Sequence, residues 1–385
     1  MNFSFTEDQI RLKESVIDFA KNNLPQSYII QDHNCMFSMD DWKKCADFGI
    51  QSMSVSHTYG NGKFKSDIDL LAATIAMEGL GYGCPDNGLL LALNAQMWTV
   101  QLPIEYFGTK EQKIEYLKPL TLGDSIACHA LTEENAGSDV FSMQTTATKV
   151  EGGYMLNGKK CMISLAPVAD FALVFANSNP KIGKWGVTAF LVKKGTKGFS
   201  ISENKTKMGM RTVPFGELMF KNCFVPDKDR LGKEGAGWSI TNHSLENDRC
   251  SVFAAKLGAM ERQLEKSIEY VKTRKQFGKR ISEFQSVSNR IAEMKLRLET
   301  SKLLLYKTAW LKNQGKSAML EAAMLKLQVS ENFVSSSLDT IRNHGAIGYL
   351  TENEIERDLR DSVGGLIYAG TSDIQKNIIA KLLGL

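Results

Sequence analysis

Few residues in this chain are arranged to do chemistry by themselves. Five histidines, at 33, 57, 129, 243 and 344, are too dispersed to ligate a metal ion. Seven cysteines, at 35, 45, 84, 128, 161, 223 and 250, include no C-x-x-C pair. Neither a G-x-x-x-x-G-K-[ST] phosphate loop nor a G-x-S-x-G nucleophile elbow is present. Chemistry here is therefore not expected to rest on side chains alone. What remains are short runs rich in glycine, hydroxyl groups and charge. Ala136-Gly137-Ser138 reads as a loop. Glu246-Asn247-Asp248-Arg249 reads, in isolation, as a solvated charge cluster near a helix start. The tail from Gly364 is a loop entering a last helix, with Thr371 or Ser372 in the N-cap position.

These runs have to be held by a chain of 385 residues, long enough for two or three packed regions. Hydrophobic residues at 43% and charged residues at 23% are ordinary for a globular protein. A net charge of +4 with scattered basic residues argues against nucleic acid and leaves room for an anionic ligand. The N-terminal segment carries early acids and no apolar core, so it does not read as a secretory leader. The most apolar stretch, 88–104, is interrupted by Asn94, Gln96 and Gln101 and is shorter than the roughly 20 apolar residues a spanning helix needs. It reads as a buried helix, and no membrane span is expected. An odd, dispersed set of cysteines points to reduced thiols and a cytoplasmic location.

Three textures follow one another. Residues 1–125 carry helical patterns, with Thr6 as a cap and stretches that end at glycine, and residues 66–83 are the longest of these. Residues 126–238 hold short Thr/Val/Tyr/Phe-rich runs, and Asn157-Gly158 between apolar runs predicts a hairpin turn. Residues 239–385 return to helical spacing at 246–275, 285–313, 317–343 and 372–384, as with Val287, Ile291, Met294 and Leu298. The expected architecture is α+β: an N-terminal helical domain, a β-barrel or sandwich, and a C-terminal four-helix bundle.

Five segments in this order resemble the acyl-CoA dehydrogenase family of FAD flavoproteins. They are L-T-E-E-N-A-G-S-D (131–139), L-N-G-K-K-C-M-I-S (156–164), R-K-Q-F-G-K-R-I-S-E-F-Q (274–285), H-G-A-I-G-Y with the acidic-basic run to 361, and A-G-T-S-D-I-Q (369–375). Within the family the resemblance is nearest to dehydrogenases acting on carrier-protein-tethered aminoacyl groups, and to the isovaleryl-type branch. It implies FAD contacts from Leu131, Thr132, Ser138, Met162, Ser164, Thr371 and Asp373. Arg274, Phe277, Gln285, Arg342, Gly345 and Ala346 would reach the cofactor of a neighbouring subunit in a homodimer or homotetramer. Ser138, Arg249 and Gly370 would line the substrate. Some positions depart from the family pattern: Met162 replaces a flanking aromatic, Ser164 a threonine, Glu134 a proline, Arg342 a glutamine and Ala346 a glycine.

The implied reaction removes a proton α to a thioester carbonyl and transfers a β-hydride to flavin N5. The family's usual glutamate before G-T is Ala369 here, which keeps only its backbone N–H for the thioester oxygen. The branches it most resembles carry their base on the first bundle helix instead, and that position is Asp248. Glu246 is the rival, but two residues turn a helix by about 200°, so both cannot face one cleft. The expected function is oxidation of an acyl or aminoacyl thioester, on a carrier protein or CoA, with a flavoprotein or oxygen as electron acceptor. The alternatives are a flavin-binding scaffold without this activity and a flavin oxidase.

Overall fold

The computed structural model describes residues 4–63 and 68–385. The first two residues of the helical stretch expected from 66 fall outside them. The N-terminal third is helical: α1 (Glu7–Asn23), α2 (Ile29–His33), α3 (Met39–Phe48), α4 (Leu70–Gly83), α5 (Asn87–Gln96), α6 (Leu102–Phe107) and α7 (Lys110–Thr121). Thr6 caps α1 as expected, accepting from Gln9 N while the Gln9 side chain returns to Thr6 N. The apolar stretch 88–104 is helical and buried. Met97–Gln101 within it forms a π-turn, which the sequence pattern does not announce.

Eight strands follow: β1 (Ala127–Ala130), β2 (Thr146–Val150), β3 (Gly153–Ser164), β4 (Phe171–Asn177), β5 (Val187–Lys193), β6 (Phe199–Ile201), β7 (Phe215–Pro226) and β8 (Arg230–Leu231). They form one mixed sheet in the order β6-β7-β3-β2-β4-β5-β8, with β1 parallel to β4. Both faces of β4 are covered: Leu173 and Phe175 join one apolar cluster and Ala172 and Val174 the other. The hairpin expected at Asn157-Gly158 is not there. The chain turns at Glu151-Gly152, and β3 runs straight through Gly158 with a register slip against β7. Gly158 is required because its backbone passes Thr145 so closely that a Cβ would lie 2.5 Å from that hydroxyl. The glycine marks a close approach inside a strand, not a turn.

The C-terminal part comprises α8 (Gly237–Thr273), the hairpin β9 (Lys275–Gln276) and β10 (Lys279–Arg280), α9 (Gln285–Asn313), α10 (Met319–His344), α11 (Ala346–Tyr349), α12 (Ile355–Gly365) and α13 (Ser372–Leu382). The helix expected from 246 begins nine residues earlier, so α8 also carries Trp238. Helix α8 is the central one, packing on α4, α9 and α10. Its crossing with α4 is backbone to backbone. A Cβ on Gly258 would lie 2.1 Å from the Glu78 carbonyl oxygen, and one on Gly81 2.0 Å from that of Ala255. Buried Glu78 ties α1, α4 and α9 together through Lys13 at 2.9 Å and Lys302 at 3.1 Å. Among the described residues no helix is long and apolar enough to cross a membrane, and all seven cysteines are free thiols.

Candidate active site

Asp248 lies in the fourth turn of α8 and is 7% exposed. Burial pushes its carboxyl up to about 7, against the opposing pull of the Arg249 charge. Arg249 Nε donates to the Ala369 carbonyl at 3.3 Å. Gln375 Nε2 donates to the same carbonyl at 3.2 Å and to that of Gly370 at 3.1 Å. The turn before α13 is thus clamped from two helices. It needs clamping, because Ala369 (φ +53°) and Gly370 (φ +89°) both sit in the left-handed region, and for alanine that conformation is strained. With the carbonyls drawn inward, the Ala369 N–H donates to no acceptor among the described residues.

Tyr368 completes this corner. Its ring stacks on Phe253, centroids 5.8 Å apart, and its buried hydroxyl has no hydrogen-bond partner among the described residues. Burial and the nearby charge of Asp248 both push the phenol pKa up. Glu246, the rival carboxylate, is occupied elsewhere. It accepts from Ala318 N at 2.9 Å and pairs with Lys312 at 3.3 Å, capping the start of α10. Of the two rival carboxylates in the Glu246–Arg249 run, Asp248 is the one buried without an acceptor role among the described residues.

A second group forms around β3. The register of β3 against β7 slips between Lys160 and Ile163, and Met162 at the bulge has φ +57° and is 61% exposed. The same stretch holds the loop 131–138. Cys161 N donates to the Thr132 carbonyl at 3.0 Å, and Lys160 Nζ donates to the Leu131 carbonyl at 2.9 Å. Lys160 is fully buried and pairs with Glu133 at 2.8 Å. Burial pulls its ammonium down to about 8, with Glu133 opposing, so it stays charged at neutral pH. Burial alone would raise the Glu133 carboxyl, but Lys160 and the amides of Gln144 (2.6 Å) and Thr145 (3.0 Å) outweigh it and hold it below the usual range. Anchored in this way, the loop turns Gly137 and Ser138 outward, and the space beside Gly137 is open for at least 4 Å. The Ser164 hydroxyl, half-buried two residues from Met162, has no partner among the described residues. An exposed thioether beside a free hydroxyl and outward loop amides fits a flat ring with a polar edge, as a flavin would present.

The remaining candidates gather at the far end of the bundle. Arg274 caps α8, and Phe277, at φ +52° and 94% exposed, forms the tip of the β9–β10 hairpin. Tyr270, in the last turn of α8, stacks on His344 at 4.4 Å, and Arg342, Gly345 and Ala346 beside that histidine in sequence are exposed. Arg342 pairs with Asp339 at 3.1 Å. From Asp248 to Arg274 the helix rises by about 39 Å. One chain cannot bring both groups to the same ring. Thr371 accepts from Ile374 N at 3.2 Å as the cap of α13, and exposed Asp373 pairs with Lys376 at 3.2 Å.

Sequence reasoning passed over Lys160, Glu133, Tyr368 and Gln375 as working parts. Lys160 shares strand parity with the buried Tyr154 and Leu156, so alternation alone put it on the inner face. Tyr368 carries no comparable signal, and Gln375 entered only as the last residue of the A-G-T-S-D-I-Q segment, without a role.

Three family models match in succession: acyl-CoA dehydrogenase N-terminal domain over residues 6–124, middle domain over 128–223 and C-terminal domain over 235–384. An L-prolyl-[peptidyl-carrier protein] dehydrogenase from a Serratia species is 41% identical over 385 residues, covering 100% of this chain and 99% of that protein. A solved structure of the prolyl acyl carrier protein oxidase AnaB superposes with a TM-score of 0.96 at 46% identity, covering 99% of this chain and 100% of that one. A structure of PigA with FAD and proline gives a TM-score of 0.97 at 41% identity, with both chains covered completely.

Proposed function

This chain belongs to the acyl-CoA dehydrogenase family, and on that premise we propose that it oxidises the α,β bond of an aminoacyl or acyl thioester tethered to a carrier protein, with FAD as cofactor. The observation that carries this reading is the corner formed by buried Asp248, Arg249 and the pinned turn at Ala369. Asp248 takes the α-proton, and its pKa of about 7 makes it a stronger base than a solvated carboxylate. The Ala369 N–H holds the thioester oxygen as charge develops there. Arg249 keeps that turn in place and, with Ser138 and Gly370, borders the acyl group. FAD, when bound, supplies the hydride acceptor. Leu131, Thr132, Ser138, Met162 and Ser164 hold it from this chain, together with Thr371 and Asp373. Arg274, Phe277, Gln285, Arg342, Gly345 and Ala346 hold it from a second copy, which makes a homodimer or homotetramer the working unit.

Aspartate is one methylene shorter than glutamate, and a misplacement of about 1 Å can cost on the order of 10²-fold. A substrate whose α-proton is acidified by an adjacent amine tolerates that shortfall, and a prolyl group is such a substrate. The kinship with AnaB favours a second reading, that oxygen accepts the electrons, in preference to a flavoprotein partner. Seven free thiols fit a reducing, cytoplasmic setting. The test is anaerobic titration of the purified yellow protein with prolyl-carrier protein and short acyl-CoAs. Bleaching by the carrier-bound aminoacyl thioester is expected. No bleaching by any thioester rejects the reading, and peroxide release in air decides between oxidase and dehydrogenase.

A further inference from the structure

The turn before α8 and the β4–β5 connection form an exposed aromatic and cationic patch that the site above does not use. Trp185 is 53% exposed, and Ile182 beside it is similarly open. Lys184 Nζ lies 4.2 Å from the Trp238 ring centre and 5.2 Å from that of Trp185. Phe141 packs edge-on against Trp238 at 4.6 Å. Phe141 follows directly on the loop 131–139, and Trp238 is the second residue of α8, so the patch joins the two elements that carry the proposed site. The nearby cations Lys181, Lys184 and Lys233 form no ion pair among the described residues. An exposed tryptophan held by a stacked lysine is the composition of an interaction anchor, not of an ordinary solvated surface.

Distance supplies the second argument. Trp238 and Asp248 lie ten residues apart on one helix, about 15 Å along its axis. A phosphopantetheine arm has the chain atoms of four to five residues and spans roughly 15–17 Å when extended. A carrier whose arm starts at the patch therefore delivers its thioester to Asp248, with the anionic phosphodiester among unpaired lysines.

We propose that Trp185, Lys184 and the Trp238–Phe141 pair form the docking surface for the phosphopantetheine-bearing carrier protein. This rests on the thioester reading above. The holoenzyme is compared with its Trp185→Ala and Lys184→Glu variants on two substrates: prolyl-loaded carrier protein and the N-acetylcysteamine thioester of proline, which has no carrier. Both variants are expected to raise KM for the carrier substrate at least about tenfold and leave kcat unchanged. The short thioester should be used equally well by all three proteins, and binding of the unloaded holo-carrier should weaken in parallel. Unchanged KM for the carrier substrate overturns the proposal, as does an equal loss on both substrates. Variants that lose a prolyl-CoA thioester but keep the carrier substrate also overturn it and assign the patch to adenosine. If the unaltered enzyme uses neither thioester, the functional reading itself fails and takes the docking surface with it.

Discussion

Replacing Lys160 by methionine should loosen the loop 131–138 out of proportion to the size of the change. The ammonium joins the Leu131 carbonyl to Glu133, and both partners lie in an interior without solvent to replace it. Removing one member of a buried pair costs about 3–5 kcal/mol, because the other charge is left uncompensated. Glu133 keeps two amide donors, so the lower end, about 3 kcal/mol, is expected. If that energy falls on docking of the loop, FAD affinity drops by about 10²-fold, since each 1.4 kcal/mol is tenfold. Methionine fills most of the lysine volume, so lost packing contributes little. The double variant Lys160→Met with Glu133→Gln removes both charges and should recover most of the loss. FAD fluorescence titration and urea unfolding, read on the single and double variants, measure both effects. Equal losses in the two, or no loss of FAD affinity in the single variant, would refute the reasoning.

Other outcomes follow from the same geometry. Flavin reduction by substrate should rise with pH and level off above about 7, because Asp248 must be ionised to act; at pH 5 the rate should be about 100-fold lower. Because the folded state holds this carboxyl above its ordinary value, its charge costs stability above pH 7. Asp248→Asn should then stabilise the protein by at most about 4 kcal/mol at pH 8, a gain that fades between pH 7 and 4 in urea titrations. Gln375→Ala should free the Gly370 carbonyl and leave that of Ala369 to Arg249 alone, lowering kcat about tenfold while bound FAD, measured by absorbance, stays constant. Gly258→Ala should destabilise by at least 1–3 kcal/mol in urea unfolding, as its Cβ would meet the Glu78 carbonyl.

The helical and strand regions were legible because their apolar spacing is imposed by burial on one face or both, as along α9. Asp248 was legible only by its place before Arg249 in a resembling pattern, and its burial, with Glu246 engaged by Ala318 N and Lys312, favours it over Glu246. Asn157-Gly158 misled because a glycine needed for close passage beside Thr145 has the same signature as one needed for a turn. The segment 369–370 was legible as a loop before a capped helix, but its left-handed shape was not. Its shape depends on Arg249 arriving from α8 as well as on Gln375 folding back from α13, and no local rule encodes the first of these. The separation of about 39 Å between Asp248 and Arg274 was legible, since the helical spacing expected at 246–275 spans both and α8 is unbroken between them.

The most direct measurement is anaerobic stopped-flow reduction of Asp248→Asn loaded with FAD and mixed with prolyl-carrier protein. The account predicts a yellow protein with full FAD content whose flavin stays oxidised, slowed at least 10²–10⁴-fold relative to the unaltered enzyme. Bleaching at the unaltered rate would show that another group takes the α-proton.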